Sequence, residues 1–253
     1  MKALTRYALL CSTVATLSAC AGSGMDTNAL LDSGTKVAQA ATLTDADMRT
    51  LTAQSCQQMD AKSQIAPAGS TYVKRLNNIS KGLPTEIAGQ PLNFKVYQTK
   101  DVNAWAMANG CVRVYSGLMD MMTDDEVRAV LGHEIGHVAL GHSRKAAQTA
   151  YGVAAARGAV GALGNSTVSA LSKSQLADFG EQFVNAQFSQ KQESQADDYS
   201  FDLLKQKGYN PQALVSSFQK LATLDGGKSS IMSSHPSSTD RAKHIQQRIA
   251  NGK

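Results

Sequence analysis

His133 and His137 flank Glu134 in the run His133-Glu134-Ile135-Gly136-His137, inside a stretch from Glu126 to Gly141 whose apolar residues fall at helical spacing. On a helix, residues four apart share a face, so both imidazoles can reach one metal ion. Glu134 then stands beside that ion, where its carboxylate can take a proton from a bound water. Zinc suits these donors and lowers the pKa of such a water to about 7, which makes a nucleophile at neutral pH. With only five histidines in 253 residues, the pattern rarely arises by chance.

Two histidines do not complete a protein zinc site. A catalytic site needs a third protein ligand and keeps one position open. His142 fails as that ligand: the extended histidine motif requires Gly at 140 and His at 143, where the chain has Leu140 and Ser143. On a continuous helix it also points about 140° away from His137. It reads instead as a histidine at the helix C-terminus, favourable to the helix dipole. A carboxylate from a later helix remains, and spacing does not choose among Glu181, Glu193, Asp197 and Asp198.

The elements that must carry these groups are mostly helices. Thr44-Asp45-Ala46-Asp47 opens one that runs to about Lys62, and a second places Tyr72, Val73, Leu76 and Ile79 at helical spacing. Three short strands follow: Leu92 to Tyr97, Asn103 to Met107, and Cys111 to Tyr115 after the Asn109-Gly110 turn signal. They suggest a small antiparallel meander. Thr123-Asp124-Asp125-Glu126 matches a capping box and opens the metal-binding helix. Residues 145–166 include an Ala- and Gly-rich run that fits either a close-packed helix or a loop. A helical pattern covers Thr167 to Lys207, another runs from Asn210-Pro211 to about Leu224, and the last covers Ser238 to Ala250.

The first nineteen residues read as a signal peptide, with Lys2 and Arg6 before a short apolar core from Tyr7 to Leu17. Leu17-Ser18-Ala19-Cys20 resembles the bacterial lipobox, which implies acylation of Cys20; plain secretory cleavage near Ala19 or Ala21 is the alternative. Ala21 after the cysteine favours the outer membrane, facing the periplasm. Residues 20–43 are small and polar and form a tether, and 44–253 form the domain. Losing Lys2 and Arg6 takes two charges off the formal +5. That balance, with no basic cluster carrying interleaved aromatics, gives no reason to expect nucleic acid as a partner. Cys11 leaves with the signal peptide, so Cys56 and Cys111 remain as an even pair in an oxidising compartment and are expected to be bridged.

Gly132-His133-Glu134-Ile135-Gly136-His137, followed by Phe188-Ser189-Gln190-Lys191-Gln192-Glu193-Ser194-Gln195-Ala196-Asp197, resembles the HtpX and CAAX-protease type of zinc metallopeptidase, peptidase family 48. Asn103-Ala104-Trp105-Ala106 and Gly117-Leu118-Met119 match the segments that bracket that family's edge strand, with Trp105 where Phe is more usual. Ser234-His235-Pro236 with Arg241 matches its His-Pro-and-Arg element. The resemblance implies an α+β fold: a mainly helical, gluzincin-type metalloprotease domain with the β-meander beside the active-site helix. It implies one Zn2+ per chain, held by His133, His137 and Glu193, with Asp197 orienting a ligand imidazole.

The implied activity is endopeptidase action on unfolded or misfolded envelope polypeptides, with Glu134 as general base. His235 and Arg241 are candidate oxyanion donors, and His235 is equally a candidate fourth ligand that keeps the enzyme latent. Val112, Arg113, Val114 and Tyr115 are a candidate strand for pairing with extended substrate, or an internal strand already paired on both sides. The rival reading is a non-catalytic, zinc-stabilised lipoprotein that binds an envelope assembly factor. A structural zinc closed by four ligands has no use for Glu134.

Overall fold

The computed structural model describes residues 43–156, 171–224, 231, 234, 235 and 238–252. The expected signal peptide, Cys20 and all of the tether but Leu43 lie outside the described residues. Helix α1 (Asp45–Lys62) starts at a reciprocal cap, in which Thr44 Oγ1 accepts from Asp47 N and the Asp47 carboxylate accepts from Thr44 N. Ser70 caps α2 (Thr71–Ser80). A two-residue hairpin, β1 (Glu86–Ile87) and β2 (Gln90–Pro91), leads into β3 (Asn93–Tyr97), β4 (Ala104–Ala106) and β5 (Cys111–Tyr115).

The α+β class holds, and one pairing differs from a meander. The order is β3-β5-β4, with β4 antiparallel and β3 parallel to β5. The β4–β5 hairpin turns at Gly110, whose φ of 82° requires glycine. β3 then joins the other side of β5, with Phe94 opposite Val112. This arrangement buries Arg113 of β5, which donates from Nη1 to Asn93 O and from Nε to Asp60 of α1. Alternation of residue types marks the faces of a strand and leaves its neighbours open, which is why adjacency in sequence misled.

Helix α3 (Ser116–Met121) precedes α4 (Asp124–Ala139), which opens with the expected Thr123/Glu126 capping box. α4 is buried on nearly every side, packing on β4, on α7 (Gln190–Gln206) and on α8 (Gln212–Ala222). Glycine makes the α4–α7 approach possible. A Cβ at Gly132 would lie 2.8 Å from Ser200 Oγ, and one at Gly136 would lie 3.1 Å from Tyr199 Cβ. The close approach brings the start of α7 against the histidine face of α4.

Gly141, with φ 74°, ends α4 and starts α5 (His142–Ala156). So His142 begins a helix rather than ending one, because a left-handed glycine redirects the chain just before it. The alanine-rich run is helical as far as Ala156. Its Ala146, Ala147, Ala150 and Ala154 are buried with Phe179 and Phe183 of α6 (Lys173–Val184). The single helical pattern expected from Thr167 to Lys207 is two helices, separated at 185–189. Ser189 restarts the chain as a cap: its Oγ accepts from Gln192 N, and Gln192 Oε1 accepts from Ser189 N.

α9 (Ser238–Ala250) lies across α8 and α7. A second core, made of α1, α5, α6, Tyr97 and Trp105, holds the Cys56–Cys111 disulfide. The bridge spans 55 residues of sequence, which contributes about 4 kcal/mol in the chain-entropy model. No helix among the described residues is long and apolar enough to cross a membrane.

Candidate metal centre

Four buried side chains from three parts of the fold converge. His133 and His137 come from α4, Glu193 from the first turn of α7, and His235 from the segment before α9. Their ligand atoms all lie within 4.8 Å of one another. His133 Nε2 is 3.0 Å from His137 Nε2 and 3.3 Å from His235 Nδ1. Glu193 Oε1 is 3.3 Å from His137 Nε2 and 2.9 Å from His235 Nδ1. Ligands about 2.0–2.1 Å from a tetrahedral zinc lie about 3.3 Å apart, so the donor set and its spacing fit that ion.

The remaining contacts orient these donors. His133 turns Nδ1 to Asp197 Oδ1 at 2.8 Å. Arg241, from α9, reaches both carboxylates, with Nη1 2.6 Å from Glu193 Oε2 and Nη2 2.6 Å from Asp197 Oδ1. Its Nε also donates to Asp197 Oδ2, and its guanidinium carbon lies 4.2 Å from the centroid of the Phe218 ring. Arg241 is therefore committed to two carboxylates, and the structure directs it at Glu193 and Asp197 rather than at a reacting carbonyl. Phe188 covers the site, its ring centroid 3.8 Å from that of His137, and Phe188 N donates to Ser234 O.

The charges follow from this packing. Burial pushes the His137 pKa well below the usual imidazole value, so the ring is neutral and keeps a lone pair for a metal. Burial alone would raise the carboxyl groups of Glu193 and Asp197. His235 and Arg241 outweigh it at Glu193 and hold that group far below the usual range. Arg241 outweighs it at Asp197, which is held down to about 2. Glu134 is pushed up, chiefly by burial. Its Oε1 has no hydrogen-bond partner among the described residues and lies 3.6 Å from His235 Nε2.

The structure decides between the two readings of the third strand and gives Phe188 and His142 places that the motifs did not assign. Val112 to Tyr115 form the central strand, hydrogen-bonded to β3 and β4, and so offer no edge to a substrate; the outer strand beside α4 is β4. Phe188 carries no signal beyond its apolar place before the α7 cap. His142, set aside as a ligand, is buried with Nδ1 3.2 Å from His137 Nδ1.

The sequence matches the model of Peptidase family M48 over residues 73–249, a span that contains every side chain of this cluster. The chain belongs to that family. As an M48 peptidase it is a zinc metalloendopeptidase, and its substrate is polypeptide. It is 55% identical to Metalloprotease LoiP of Escherichia coli (strain K12) over 247 residues, 97% of each chain. It is 53% identical to Metalloprotease YcaL of the same organism over 246 residues, 96% of each. A more distant match is the Beta-barrel assembly-enhancing protease of Yersinia pestis, 30% identical over 139 residues, which are 52% of this chain and 28% of that one.

Proposed function

We propose that this metalloendopeptidase cleaves unfolded or misassembled proteins of a bacterial envelope, from a lipid anchor at Cys20 in the outer membrane, with Glu134 as general base. The catalytic part rests on one observation: Glu134 Oε1 is buried beside the donor cluster with no hydrogen-bond partner among the described residues. A buried carboxylate oxygen left unpaired destabilises a fold, and a proton acceptor requires one.

His133, His137 and Glu193 would hold the zinc. The bound ion supplies Lewis acidity, which acidifies water and polarises a carbonyl. Glu134 takes the proton of the attacking water at Oε1 and returns it to the departing amine nitrogen. Asp197 and Arg241 keep His133 and Glu193 in place through both transfers.

The proposed substrate class draws on the sheet. In β4, Ala104 and Ala106 turn their backbone groups away from β5. Asn103 Oδ1 takes the Ala104 N–H, and Ser143 Oγ donates to the Ala106 C=O. Pairing of an extended peptide with β4 would require Ala104 and Ala106, 1% and 2% exposed, to be uncovered first, and only a locally unfolded chain presents such a peptide. The anchor reading rests on Leu17-Ser18-Ala19-Cys20. The name of the Yersinia relative, which concerns β-barrel assembly, agrees with an envelope setting.

The test is Glu134→Gln assayed on an unfolded polypeptide, with and without a chelator. Cleavage should fall by at least about a hundredfold while zinc content stays at one per chain. Wild-type cleavage by the variant would remove Glu134 from the mechanism. Wild-type protein that binds zinc yet leaves the unfolded polypeptide intact would remove unfolded chains as the substrate class.

A further inference from the structure

We propose that His142 is a positioning residue for zinc: its imidazole accepts a hydrogen bond from His137 Nδ1–H and so holds His137 Nε2 on the metal. The inference rests on the ligand assignment above. His137 Nε2 faces His133 and Glu193, while its Nδ1 faces His142 Nδ1 at 3.2 Å. A ring that binds metal through Nε2 carries its proton on Nδ1. Two N–H groups do not point at each other at that distance, so His142 must present a bare Nδ1. Its own proton then lies on Nε2.

The two ligand histidines of α4 are thus supported differently. His133 has a carboxylate behind it, Asp197, and His137 has the neutral imidazole of His142. The device depends on Gly141: its φ of 74° ends α4 and brings residue 142 back toward the His137 ring, where an unbroken helix would carry it away. Both rings are buried, at 1% and 7% exposure, so bulk water does not substitute for either partner.

The experiment measures zinc affinity by competition with a chromogenic chelator, on the full chain. His142→Ala removes the acceptor, and His142→Asn replaces it with an amide oxygen near the Nδ1 position. The alanine variant should lose about 10- to 100-fold in zinc affinity, and the asparagine variant should recover most of that loss. Equal loss in both, or loss in neither, overturns the proposal. Thermal unfolding of the zinc-free proteins accompanies the titrations, so that a general packing defect is visible as such.

A second measurement needs no variant. In the zinc-loaded, 15N-histidine-labelled wild type, a scalar coupling across the hydrogen bond should connect Nδ1 of His137 with Nδ1 of His142. Its absence overturns the proposal even if the variants fail to fold. His137→Ala serves as the control on the site itself. If that variant keeps wild-type zinc affinity, the ligand assignment fails, and the role of His142 fails with it.

Discussion

Asp197 Oδ1 lies 2.8 Å from His133 Nδ1, so the nitrogen that faces away from the donor cluster is held by a carboxylate one helical turn beyond Glu193. The spacing places both acids on one face of α7, and Arg241 bridges them from α9. Asp197→Ala should release the His133 ring and leave Arg241 paired with Glu193 alone. Zinc affinity should drop about 10- to 100-fold. Equilibrium dialysis against a zinc buffer decides; unchanged affinity would mean that Asp197 only neutralises Arg241.

His235 should act as a latch. Its Nδ1 lies among the other three ligand atoms, 2.9 Å from Glu193 Oε1 and 3.3 Å from His133 Nε2, where it would occupy the position a substrate needs. His235→Ala should therefore raise the initial rate on an unfolded substrate at saturating zinc. The alternative, an oxyanion donor, predicts a fall of about a hundredfold or more. A fall of that size removes the latch.

The metal-binding helix is legible in the sequence because its signals are local: His133, Glu134 and His137 define a face, and Thr123 with Glu126 marks the start. α9 is legible for the same reason, as an amphipathic run with clear ends. What depends on contacts distant in sequence is not. The central place of β5 goes together with the burial of Arg113 against Asp60, 53 residues away. The two-carboxylate grip of Arg241 exists only once α9 lies on α7. His142 changes meaning with a single backbone angle at Gly141. The break between α6 and α7 did carry a signal, Ser189 with Gln192, but Phe183 and Phe188 extend the helical period across it.

Cys20 should be the first residue of the mature chain, and it should carry lipid. The motivation is Leu17-Ser18-Ala19-Cys20 behind Lys2 and Arg6. Several acyl chains together anchor a protein stably, whereas a single chain binds reversibly. Intact-mass and N-terminal peptide spectrometry of the membrane fraction should show an acylated Cys20, and Cys20→Ser should move the protein to the soluble fraction. An unmodified N-terminus at any residue rejects the anchor.

Asp60 should be the residue outside the metal centre on which the fold depends most steeply. Arg113, 2% exposed, donates to it from Nε at 2.8 Å and from Nη2 at 2.9 Å. Lys95 Nζ and the Tyr97 hydroxyl bond the same carboxylate, tying α1 to β3 and β5 beside the disulfide. Burial alone would raise the Asp60 pKa, but Arg113, Lys95 and Tyr97 outweigh it and hold the group below its ordinary value. A depressed carboxylate adds stability above the unfolded value, near 3.8, and loses it as pH falls through the lower folded value.

Asp60→Asn should leave Arg113 buried without a counter-charge, at a cost of about 3–5 kcal/mol near neutral pH. Replacing Arg113 with Met in the same chain should recover much of that loss, because the buried guanidinium left without a counter-charge is then gone. Denaturant titrations of the wild type, both single variants and the double variant, at neutral pH and again below pH 4, measure the coupling and its loss in acid. Additive effects at neutral pH would show that the two side chains do not act as a pair.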